Sequence, residues 1–252
     1  MNDFDHQETE AHYATLLAPI YAWMLGDLDA ARATAAAELA YLGVGAPGPG
    51  RRALDLGAGL GLHTVALTAL GYQVTAIDSS ATLLAQLARA CPGAITVAGD
   101  LVSAAARVTG PFDLIACMGD TLSHLPSPEA VREALATAAG LLAPEGTLVM
   151  TFRDYTRARR GAARFFLVRG DDQRILTCCL DYDETRVAVT DVLHERAGAG
   201  PWQMRAGTYH KLRLTAVEIA AALDALGLAV ARADSEAGWI TVVAHGAQKH
   251  DR

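Results

Sequence analysis

Apolar and polar positions alternate in a regular way from residue 53 onward. Short apolar runs at 53–56, 74–77, 95–98, 114–117 and 148–152 have the length and content of buried strands. Between them, residues 61–70, 81–90 and 128–142 repeat apolar positions at helical spacing. Ser127, Pro128 and Glu129 supply an N-cap, a proline at the first helical position and an acid in the first turn. Strands alternating with helices predict βαβ units and a parallel sheet. Before residue 43 the pattern is helical, with one helix over 11–24 and a second from Asp27, a candidate N-cap, to Leu42. The glycine- and proline-rich stretch 43–50 is a linker.

Beyond residue 152 the pattern changes. Four segments rich in β-branched and aromatic residues lie between 163 and 214, separated by turn-forming residues, and predict an inserted antiparallel sheet. A last helix is expected from Thr215 to Leu226, ended by Gly227, followed by strands at 229–233 and 239–244. The expected units are a helical cap at 1–50, an α/β domain at 51–155 and 215–246, and a β subdomain at 156–214.

Composition narrows the function classes. In 252 residues, 52% are apolar and 19% charged, enough to build a core. Twenty-eight acids against 21 Lys and Arg give a net charge of −7, which argues against nucleic acid as a partner. No run approaches a membrane span, and the acidic, polar first residues do not read as a signal peptide, so a cytoplasmic location is expected. Cys91, Cys117, Cys178 and Cys179 lack metal-ligand spacing and are read as reduced thiols. His6, His12, His194, His245 and His250 have no two-His helical spacing with an acid, so no metal is assigned.

The strongest chemical signal is ALDLGAGLGLHTVAL. A strand ends at Leu56, glycines stand at 57, 59 and 61, and a helix follows. Such glycines allow a tight turn and let a ligand touch the backbone. Asp78, at the end of the second strand, is placed to accept hydrogen bonds from ribose hydroxyls. Leu62 occupies the position where a dinucleotide fingerprint needs glycine, and Asp55 would repel a pyrophosphate. An NAD-dependent dehydrogenase is therefore disfavoured. A cofactor with adenosine, a positive charge and no phosphate, S-adenosylmethionine (SAM), fits. The structural alternative is that Asp55 caps a turn and the glycines ease packing.

These motifs resemble those of the class I SAM-dependent methyltransferases over about residues 53–152. The resemblance implies a Rossmann-like fold: a mostly parallel seven-stranded sheet with helices on both faces, plus the inserted antiparallel sheet. It implies that Asp55, Gly57, Ala58 and Gly59 line the methionine end, that Asp78 and Ser79 hold the ribose, that Gly99, Asp100 and Leu101 meet the adenine, and that Met118 contacts the cofactor. Tyr13 is assigned to the same site. CMGDTLSHLP and FRDY, with the inserted sheet, resemble glycine N-methyltransferase and its small-molecule relatives. In that family an Asn follows the glycine of the strand-four loop, and an Arg after strand five binds the substrate carboxylate. Asp120 stands in place of that Asn, and Arg153 matches that Arg. A carboxylate at 120 favours a cationic amine or acts as a base.

The expected acceptor groups are Asp120, His124, Arg153, Tyr209 and Tyr21, with either Asp120 or His124 taking a proton. Aromatic faces of Tyr13 or Tyr21 would steady positive charge. The expected activity is methyl transfer from SAM, leaving S-adenosylhomocysteine, to a nitrogen or oxygen of a small molecule, an amine or amino-acid-like metabolite being favoured. The alternatives are another use of SAM on this fold, or a non-catalytic SAM-binding protein. The edges of the inserted sheet make a homo-oligomer an open expectation.

Overall fold

The computed structural model describes residue 9 and residues 11–247. His6, His250 and part of the expected 1–50 cap lie outside the described residues. Alternating apolar segments assemble a seven-stranded sheet in the order β10-β11-β5-β4-β1-β2-β3. Its strands are β1 (Arg52–Leu56), β2 (Gln73–Asp78), β3 (Ile95–Ala98), β4 (Phe112–Cys117), β5 (Leu142–Arg153), β10 (Ala229–Glu236) and β11 (Trp239–His245). All neighbouring pairs are parallel except those made by β11, which runs antiparallel to β5 and β10.

Side chains of a strand point alternately to its two faces. Leu54, Ile77, Ile115 and Leu148 pack on one face against Val131 and Leu135 of one helix and Ile219 and Leu223 of another. Ala53, Val74, Leu114 and Val149 pack on the other against Leu39, Ala66 and Leu67. The chain is therefore doubly wound. Truncating a fully buried core leucine such as Leu135 to alanine costs about 2–5 kcal/mol.

The helices follow their local signals. Two short turns, over Tyr13–Leu17 and Ala18–Ile20, lead into α1 (Tyr21–Leu25), and α2 covers Leu28–Tyr41. Asp27 caps α2 by accepting from the backbone of Asp29 and Ala30. Then come α3 (Leu62–Leu70), α4 (Ala81–Ala90), the short α5 (Ala104–Arg107), α6 (Pro128–Leu141) and α7 (Ala216–Ala225). Ser127 caps α6, and Thr215 with Glu218 forms a capping box on α7. The single helix expected over 11–24 is instead broken into three pieces. Pro19 lies in the middle one, and proline supplies no backbone N–H to a continuing helix.

A second sheet, β6-β7-β8-β9, is antiparallel throughout. Its strands are β6 (Phe165–Gly170), β7 (Arg174–Tyr182), β8 (Arg186–Glu195) and β9 (Gln203–Leu212). Leu176, Val187, Val189 and Tyr209 on its inner face pack on Leu16, Leu17 and Ile20 of the N-terminal segment. Ala18 and Tyr21 of that same segment pack on Leu60 and Leu83, beside the glycine loop. The N-terminal segment is thus a strap joining the second sheet to the carboxyl end of the parallel sheet. Trp23 adds a hydrogen bond to Asp171 at the β6–β7 turn.

Candidate active site

The loop leaving β1 is shaped by its glycines. Gly57, Gly59 and Gly61 all have positive φ, which β-carbon-bearing residues rarely adopt. At Gly57 a Cβ would lie 2.1 Å from Cγ2 of Thr121, so the strand-four loop can approach only a glycine there. At Gly59 and at Gly119 a Cβ would meet open space. Neither backbone is covered by a side chain at that point, so both can be approached by a ligand.

Asp78 stands beside Gly59. Its carboxylate accepts from the N–H of Gly59 and of Ser80, both at 2.8 Å. Burial pushes this acid above its ordinary pKa, and the two N–H groups oppose that. A carboxylate offers about four lone-pair sites, so two further donors can still bind. Ser79 is exposed, and Ser80 makes the bond to Asp78. Asp55 lies beneath the loop, 1% exposed, and accepts from the Thr64 hydroxyl at 2.6 Å. Burial is the largest influence on Asp55 and raises its pKa.

The remaining cofactor candidates divide. Asp100 turns to its own loop, accepting from the backbone and hydroxyl of Ser103. Burial works to raise its pKa, but those bonds win and hold it low. Leu101 and Met118 are 7% and 3% exposed and point into the core, so only their backbones are available. Gly99 is pressed by Arg107, and Ala58 packs toward Leu84 and Leu87.

Asp120, expected to face an acceptor, is instead a buried hub. It has φ +79° and is 4% exposed. One carboxylate oxygen accepts from the Ser123 hydroxyl at 2.6 Å and the Arg153 N–H at 2.9 Å. The other accepts from the Tyr155 hydroxyl at 3.0 Å and from Lys211 Nζ at 2.5 Å. Burial would neutralise both members of the Asp120–Lys211 pair. Their mutual attraction outweighs it, so Asp120 titrates below and Lys211 above its usual range. The cation that an acid at 120 called for comes from the chain itself. With every lone pair engaged, Asp120 is no proton acceptor.

An aromatic group stands beside this pair. Tyr13 shares a 3.2 Å hydrogen bond with His124 Nε2 and meets its ring edge-on at 5.3 Å. Tyr209 stacks on His124 at 5.5 Å and touches Tyr13 at 5.8 Å. His124 Nδ1 is sealed from solvent and has no partner among the described residues. Burial first, then the Lys211 charge, pushes His124 down to about 3, so the imidazole is neutral at physiological pH. Of the two strap tyrosines, Tyr13 lies in the aromatic group with His124 and Tyr209, and Tyr21 packs with Leu60 and Leu83. Burial raises the Tyr21 pKa, opposed by the charge of Lys211 and aided by that of Asp78.

Arg153 enters the site through its backbone N–H. Its side chain is exposed, with the guanidinium 4.5 Å above the Trp239 ring. Arg213 ties the carbonyls of Tyr155 and Thr156 to the turn at Asp183. Lys211 went unnoticed in the sequence, as did the buried pair His12–Asp191 at 3.0 Å, which fastens the strap to β8. Their signal was register: Asp191 shares the inward face of β8 with Val187, Val189 and Leu193, and Lys211 shares that of β9 with Tyr209. Among the described residues no group of three or more His, Cys, Asp or Glu is gathered as for a metal ion. No described helix is long and apolar enough to cross a membrane.

Residues 53–146, which contain the glycine loop, Asp78 and Asp120, match a family model described as a methyltransferase domain. The match supports the class I SAM-dependent methyltransferase family for this part of the chain. Around the domain, a ubiquinone biosynthesis O-methyltransferase of Xanthomonas campestris pv. campestris is 39% identical over 115 residues, 44% of this chain and 46% of that protein. A glycine/sarcosine N-methyltransferase of Aphanothece halophytica is 29% identical over 109 residues, 42% of this chain and 41% of that protein. The matches thus span about half the length of these curated relatives.

The fold likeness extends beyond the domain. Streptomyces venezuelae DesVI superposes with a TM-score of 0.75 at 19% identity, covering 91% of this chain and 98% of that one. A SAM-bound amino pentose methyltransferase from Micromonospora echinaspora gives 0.71 at 21% identity, covering 85% and 91%. The fold likeness therefore covers most of the chain, well beyond residues 53–146.

Proposed function

We propose that the chain is a SAM-dependent methyltransferase acting on a nitrogen or oxygen of a small molecule, with S-adenosylhomocysteine as the product. The observation that carries this reading is the Asp78 carboxylate beside the open Gly59 backbone, in a chain whose strand-four loop, packed on Gly57 through Thr121, carries the buried Asp120 together with His124. The residues fit the cofactor: no side chain covers the Gly59 backbone, and Asp78 retains lone pairs for two ribose hydroxyls. When bound, SAM supplies a methyl group already activated on a positively charged sulfur.

The chain's own task is then alignment and exclusion of water. Gly59, Gly119 and Asp78 hold the cofactor side. Tyr13 and Tyr209 bracket His124 on the acceptor side. Held near a pKa of about 3, His124 is too weak a base to remove a proton at neutral pH. Its role is to orient the acceptor by hydrogen bonding, with Tyr13 fixing the ring. An acceptor that arrives with a free lone pair needs no stronger base. The strap packs on both the second sheet and the residues beside the glycine loop, shielding Tyr13 and its partners from water.

Incubation with SAM and a panel of small amines, amino acids and phenols is expected to release S-adenosylhomocysteine with at least one of them. Release of methylthioadenosine instead, or no turnover across the panel, would overturn the reading.

A further inference from the structure

Among the described residues, Lys211 is the ammonium placed beside the aromatic rings of Tyr155 and Tyr209. It is 8% exposed, yet a single carboxylate oxygen of Asp120 is its only hydrogen-bond acceptor among the described residues. Its other contacts are the ring faces of Tyr155 at 5.8 Å and Tyr209 at 5.7 Å. An ammonium carries three N–H donors, and a buried donor left unmatched is costly. The hydroxyl of Tyr209 likewise makes no hydrogen bond among the described residues, while its ring lies against Lys211 and Tyr13. Asp120, by contrast, is saturated by its own donors. The group around Lys211 therefore offers spare donors and no spare carboxylate.

Taking the methyltransferase reading as its basis, we propose that Lys211 binds an anionic oxygen of the methyl acceptor, a carboxylate or an ionised phenol, with the Tyr209 hydroxyl as companion donor. Asp120 acts as a positioning residue: it fixes the ammonium and leaves its remaining N–H groups for the ligand. Acceptor preference then runs opposite to what an isolated acid at position 120 suggests. The Lys211 ammonium selects an oxyanion. A structural ion pair alone would hold the loop to β9 without any such preference.

The test is calorimetric titration of the full-length chain, in the presence of S-adenosylhomocysteine, with four probes of similar shape: benzoate, 4-nitrophenolate, benzamide and benzylamine. At least one of the two anions is expected to bind about tenfold or more tightly than both the neutral amide and the cationic amine. Which anion wins distinguishes a carboxylate from a phenolate. Because Lys211→Met alone would strand a buried carboxylate, the paired variant D120N/K211M is the comparison, and it is expected to lose the anion preference. Equal or tighter binding of benzylamine or benzamide, no binding of any probe, or a preference that survives in the paired variant would overturn the proposal. S-adenosylhomocysteine affinity is measured in the same experiment. Its absence alongside an intact anion preference counts against the methyltransferase reading alone; its presence without the preference counts against Lys211 alone.

Discussion

The two sides of the site are assembled in different ways. On the cofactor side, the ligand-facing groups come from one unbroken stretch: glycine backbone after β1, and an acid at the end of the adjacent strand β2. On the acceptor side, Tyr13, Asp120, Tyr155, Tyr209 and Lys211 come from segments far apart in sequence and meet through buried side chains. The first side depends on backbone conformation and is open. The second depends on charge pairing and is packed. The lesson is that the two acids of the site are not alike: Asp78 keeps room for a ligand, whereas Asp120 spends its oxygens on the protein.

Breaking the packed side has the largest expected effect. Asp120→Asn leaves the Lys211 ammonium buried without its anion and should lower stability by about 3–5 kcal/mol, as read by denaturant unfolding. Adding Lys211→Met to that variant should restore a large part of the loss, because removing both charges is far cheaper than removing one. A double variant no more stable than Asp120→Asn would deny that the pair is coupled.

On the open side, Asp78→Ala should weaken SAM binding about a hundredfold through loss of charge-assisted hydrogen bonds, with smaller effects on unfolding. Gly57→Ala sharpens the contrast from the backbone. Positive φ and the approach of Thr121 together should cost about 1–3 kcal/mol and displace the strand-four loop. An unchanged melting curve would refute the close approach.

How much of this was legible depends on sequence distance. The parallel strands, the caps at Asp27, Ser127 and Thr215, and the four inserted strands followed from local pattern. The glycine loop and Asp78 were equally visible because strand order brings the ends of β1 and β2 together. The Lys211–Asp120 pair was not. It exists only once β9 is in register with β8 and folded against the strand-four loop. An acid with no visible partner therefore read as a substrate ligand. The place of Tyr13 was hidden for a related reason: it rests on contacts between the strap, β9 and the strand-four loop.

Per pH unit, a dependence on pH is the smaller predicted effect. An unfolded histidine titrates near 6.5, while buried His124 titrates near about 3. Between these values the unfolded state binds the extra proton, so stability falls as pH falls through that window, by about tenfold in the unfolding constant per pH unit. His124→Gln should lack that component of the acid slope. Identical slopes in urea titrations of the two proteins would contradict a buried neutral imidazole.

The central claim is that the Gly59 backbone and Asp78 receive a positively charged nucleoside and not a dinucleotide. Calorimetric titration of SAM and of NAD against the intact chain tests it most directly. The account predicts saturable SAM binding that Asp78→Ala weakens sharply, and no heat from NAD. Tight NAD binding that SAM does not displace, or SAM binding indifferent to Asp78, would contradict it.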